Sequence, residues 1–177
     1  SGKIQPESLI PEINKKEWFT LQPEEEAAFI VYKRDLDTRL NEVTDRQLEA
    51  MKSGDLTEQM RTTAEWADLE RKRVDFETMM VITSQGAGKS FQLRKALLNR
   101  ENEVEYQINR YKIANGGNIT TEMIDKFHAI DKELKEANKK IAELEKNKEK
   151  ADEERVIENI KNKVKKTPKN KMKVADD

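Results

Sequence analysis

The chain has 177 residues, of which 34 are basic and 35 acidic, so 39% are charged while only 35% are apolar. That balance disfavours a compact sphere with a large apolar centre, and a near-zero net charge removes the self-repulsion that usually drives disorder. With no cysteine there is no disulfide framework and no thiolate metal site. No run approaches the roughly 20 apolar residues that span a bilayer.

Elongated helices suit this composition, because each needs only an apolar stripe while interleaved charges cover the rest. No amino-terminal charged-then-apolar segment reads as a cleavable secretory signal. A cytoplasmic or other intracellular assembly is therefore the expected setting.

Residues 1–22 contain Pro6 and Pro11 among the spaced apolar residues Ile4, Leu9, Ile10, Ile13, Trp18 and Phe19. They read as an extended amino-terminal arm that packs onto its own bundle or onto a neighbouring subunit. No proline occurs between Pro23 and Pro168. Gly54, the pair Gly86 and Gly88, and the pair Gly116 and Gly117 then cut the chain into helices over about 23–52, 55–82, 89–114 and 120–165.

The first of these helices carries Phe29, Leu36, Leu40, Val43 and Ala50 on one stripe, with Lys33 and Gln47 as gaps. Pro23 suits its first position, and Glu24, Glu25 and Glu26 suit the positive end of the helix dipole. Asp55 and Glu58 form a capping pattern for the second helix. That helix shows Trp66, Leu69, Phe76 and Met80 on one face, interrupted by Arg73. The third shows Leu93, Leu97, Val104, Ile108 and Tyr111, and Thr120 is placed to cap the fourth.

The fourth helix has the clearest pattern. Met123, Phe127, Ile130, Leu134, Ala137, Ile141, Leu144 and Ala151 fall on alternating steps of four and three, broken only at Lys148. This is a coiled-coil heptad seam. After Ala151 the phase slips, and Ile157, Ile160 and Val164 lie on another face. A continuous helix of this span is about 70 Å long at roughly 1.5 Å per residue. The seam from Met123 to Leu144 is the expected oligomer or partner interface, against other helices of the chain or another copy.

Residues 81–90, VITSQGAGKS, resemble a phosphate-binding loop at Gly88, Lys89 and Ser90. In that reading backbone amides at the helix start and Lys89 meet phosphate, and Ser90 holds Mg²⁺. The first motif position, however, is Thr83 where glycine is required. The preceding residues read as helix, and no apolar strand ends in an aspartate. Gly86 and Gly88 equally suit an interhelical turn, and this is the preferred reading.

His128 is the single histidine, so a transition-metal site is not expected. No carboxylate stands in an apolar setting that marks it for acid–base work. No cofactor is expected. The stretch KNKVKKTPKNKMK offers Lys161, Lys163, Lys165, Lys166, Lys169, Lys171 and Lys173 without an acid. It suits weakly selective attraction to nucleic acid or to an acidic surface, but has no arginine or aromatic residue to read bases.

The expected architecture is all-α. An antiparallel helical bundle of three helices over 23–118 is followed by a long carboxy-terminal coiled-coil helix over 119–165 and a Lys-rich tail over 166–177. The expected role is that of a non-enzymatic structural or assembly protein with protein partners, a homo-oligomer or part of a large assembly such as a virion, and with no membrane contact. The alternatives are a nucleic-acid-associated adaptor using the lysine tail and a nucleotide-binding protein centred on the degenerate loop Thr83–Ser90.

Overall fold

A computed structural model of the chain describes residues 4–83 and 90–166, with the side chains of 90–98 and of 166 excepted. The described residues form five helices: α1 (Pro6–Asn14), α2 (Pro23–Ser53), α3 (Leu56–Ile82), α4 (Ser90–Ala114) and α5 (Thr121–Lys166). Their only β-type pairing is an isolated bridge between Phe19 and Thr83. The fold is all-α.

Local chemistry sets the helix ends. Pro23 occupies the first turn of α2, and the Gln22 N–H donates to Glu25 Oε1 at 2.9 Å. Gly54 ends α2 at φ +70°, which lets the Asp55 N–H reach the Ala50 carbonyl at 2.9 Å. Asp55 then caps α3 by accepting the Glu58 N–H at 3.0 Å. Gly116 and Gly117 both adopt positive φ after α4, and Thr120 Oγ1 accepts the Met123 N–H at 3.3 Å to start α5.

Contacts along the helices fix their directions. Gln47 of α2 bonds Thr63 of α3, and Phe29 stacks on Phe76 with ring centroids 6.2 Å apart, so α2 and α3 run antiparallel. Arg100 of α4 pairs with Glu70 and Glu77 of α3, while Gln107 bonds Gln47 beside Thr63, so α3 and α4 are antiparallel too. Asn138 of α5 donates to Glu101 of α4, and Tyr111 bonds Thr120, so the last two helices are antiparallel as well. Lys126 of α5 meets Asp68 of α3 at 2.7 Å.

Helix α3 touches all the others and is buried on several faces. Val74 and Met79 are fully enclosed, and Trp66, Leu69 and Phe76 nearly so. Large side chains of this kind each contribute about 1.5–3 kcal/mol on full burial.

Two expectations need correction. The arm over 1–22 is not extended throughout, because Pro6–Asn14 forms helix α1. Pro6 starts it, since the first turn needs no N–H. Pro11 sits inside at the expense of one backbone bond. Burial of Ile10 and Ile13 against α2 and α3 outweighs that loss. The Phe19 N–H then donates to the Ile82 carbonyl at 3.1 Å.

The bundle also has four long helices rather than three. Met123, Phe127, Ile130, Leu134, Ala137 and Ile141 of α5 are all buried in it. The chain divides into a unit ending at Ile141 and a second starting at Ala142, so the division falls inside α5 rather than at residue 118.

Candidate functional site

The heptad seam of α5 has two fates. From Met123 to Ile141 the chain's own helices bury it, leaving at most 5% of each of those six residues exposed. Leu144 is half-buried and Ala151 is exposed. The partner interface expected at Met123–Leu144 is thus filled within the chain as far as Ile141.

The apolar residues after the phase slip are different. Val156, Ile157, Ile160 and Val164 keep 55%, 52%, 56% and 63% of their surface exposed. On a helix they form one stripe, since steps of three and four return to the same side. Acidic residues flank the first part of this stripe, with Arg155 among them, and lysines flank its second part. Asp152, Glu153, Glu154 and Glu158 lie on one part of the helix, and Lys161, Lys163 and Lys165 on the next.

Among the described residues, no strand leads into the phosphate-loop resemblance. Helix α3 runs through Ile82, where such a loop would spring from a β-strand. Thr83 is the cap of that helix: its N–H donates to the Met79 carbonyl at 3.0 Å and its hydroxyl to the Met80 carbonyl at 3.1 Å. Gly86, Gly88 and Lys89 lie outside the described residues. Ser90 opens α4.

Among the lysine candidates, Lys161, Lys163 and Lys165 are exposed on α5 and Lys166 is its last residue. Lys169, Lys171 and Lys173 lie outside the described residues. His128 is exposed. It lines a groove of about 350 Å³ between α4 and α5, with Val104, Ile108, Ile119, Ile124 and Phe127 among the other lining residues. Among the described residues, no group of three His, Asp or Glu side chains is placed to hold a metal ion. No helix there is long and apolar enough to cross a membrane.

The bundle also contains polar side chains that the apolar stripes leave out. Gln47 Nε2 donates to Thr63 Oγ1 at 2.9 Å and to Gln107 Oε1 at 2.8 Å, and Gln107 Nε2 returns a bond to Gln47 Oε1 at 3.2 Å. One layer above, Arg100 Nε lies 2.8 Å from Glu70 Oε1, and Arg100 Nη2 bonds Glu77. Burial raises the Glu70 carboxyl above its usual range even though Arg100 opposes the shift.

Farther along α3, Asp75 lies close to Glu133 of α5. Burial first, and then Glu133, push Asp75 up to about 8. The nearby Tyr32, stacked on Phe76 at 5.9 Å, is pushed up to about 12, mainly by burial.

The sequence did carry a signal for two of these layers. Arg100 and Gln107 fill the missing steps of the α4 stripe, between Leu97 and Val104 and between Val104 and Tyr111. Gln47 does the same between Val43 and Ala50. A polar residue at a core step implies a buried partner at the matching height.

Comparison with protein-family models, with curated proteins and with solved structures finds no match to this chain.

Proposed function

We propose that the chain is a non-enzymatic structural or assembly protein that works by helix–helix association within a larger complex. One observation carries the reading. In a bundle that buries its own heptad seam, α5 continues and presents Val156, Ile157, Ile160 and Val164 on its surface. Single exposed aliphatic residues are ordinary, but four on one helix stripe mark an interaction face. Inside the bundle Gln47, Thr63 and Gln107 hold one another, as in a scaffold whose register is fixed by a matched polar layer.

Sedimentation equilibrium of the full chain, beside the triple variant Ile157→Gln/Ile160→Gln/Val164→Gln, tests it. The reading predicts a species heavier than the 20.6 kDa monomer, as a self-complex or with an added partner, and its loss in the variant. A full chain that stays monomeric with every binding partner tried contradicts it.

A further inference from the structure

We propose that the stripe at the carboxy-terminal end of α5 pairs antiparallel with the same stripe of a second copy of this chain. The proposal rests on the association reading above and names its partner. The orientation follows from charge. Taking Ile157 and Ile160 as successive core positions makes Val164 the next and Glu153 the one before.

In an antiparallel pair Ile157 then faces Ile160 of the other copy, and Val164 faces Glu153, whose methylenes cover the valine while its carboxylate reaches water. The flanking positions Glu154 and Lys161 fall opposite each other, once on each side of the dyad. A parallel, in-register pair instead sets Glu149 of one copy beside Glu154 of the other, a like-charge contact. The order Glu154 then Lys161 at the flanking position thus favours one direction. A face of four aliphatic side chains per copy is smaller than the roughly 1,200 Å² typical of stable interfaces. The pair is therefore concentration-dependent, or is reinforced by other contacts in an assembly.

Because the chain has no cysteine, introduced thiols report the orientation cleanly. The full chain is made as Glu153→Cys and, separately, as Val164→Cys. Mild oxidation of the mixture should give the disulfide-linked mixed dimer, with little linkage in either variant alone. Glu154→Lys and Lys161→Glu should each weaken dimerisation about fivefold, and the double exchange should restore it.

Bridges between like positions, no bridges, or a double exchange that fails to restore pairing would each overturn the proposal. A photo-reactive residue at position 160 separates the two levels. If it captures a different protein while the thiols stay unlinked, the second copy is wrong and the association reading stands. If it captures no other chain, both fall.

Discussion

Arg100 Nε sits 2.8 Å from Glu70 Oε1 between α3 and α4, with the Arg100 side chain about nine-tenths buried and that of Glu70 almost fully. Removing one partner of such a pair leaves the other charge in a low-dielectric interior. Arg100→Ala should therefore cost about 3–5 kcal/mol, measured by urea unfolding. Arg100→Leu combined with Glu70→Leu should cost less than Arg100→Ala alone, because no unpaired Glu70 remains. A double variant less stable than the single would mean that the ion pair is worth more than its desolvation.

Asp75 makes stability depend on pH. Its carboxyl is raised from 3.8 to about 8 by burial and by Glu133, with Glu136 adding to the rise and Arg71 opposing it. The folded state therefore holds a proton that the unfolded state has released. This contribution is fully present below the unfolded value and is lost as pH rises through about 8. Asp75→Asn should flatten the decline and be the more stable form at about pH 9, with the difference shrinking toward about pH 4. Thermal unfolding across that range checks it, and parallel profiles for the two proteins would refute it.

The Gln47–Gln107 pair predicts a similar non-additivity without charge. Gln47→Leu leaves Gln107 buried with one partner fewer and should cost about 1–3 kcal/mol. Gln47→Leu/Gln107→Leu should recover part of that loss. Chemical denaturation of the two single variants and the double measures the coupling.

The two parts of α5 should respond differently to substitution. Leu134 is enclosed in the bundle, so Leu134→Ala should cost about 2–5 kcal/mol. Ile160→Gln, on the exposed stripe, should leave the melting temperature of dilute protein nearly unchanged while reducing association. Equal losses of stability at both positions would show that residue 160 is part of the monomer core.

The long helices were legible in the sequence because their stops are chemical. Gly54 permits a positive φ, Asp55 caps, and Pro23 opens, and each does so in the structure. Helix α1 was not legible, because Pro11 counts against a helix locally and only burial of Ile10 and Ile13 by distant residues reverses the balance.

Periodicity also identified the α5 seam but not what covers it. A stripe from Met123 to Ile141 has the same spacing whether the chain's own helices or another chain covers it. The Asp75–Glu133 contact left no local trace at all, since it joins two helices whose relative height is set by tertiary packing.

The account turns on the stripe at the end of α5 being an association surface. The most direct measurement places a photo-reactive benzophenone side chain at position 160 of the full chain, with position 134 as the comparison. The account predicts that light joins position 160 to another polypeptide, whereas position 134 reacts only within its own chain. Absence of any intermolecular adduct at position 160, or intermolecular adducts at position 134 instead, would contradict it.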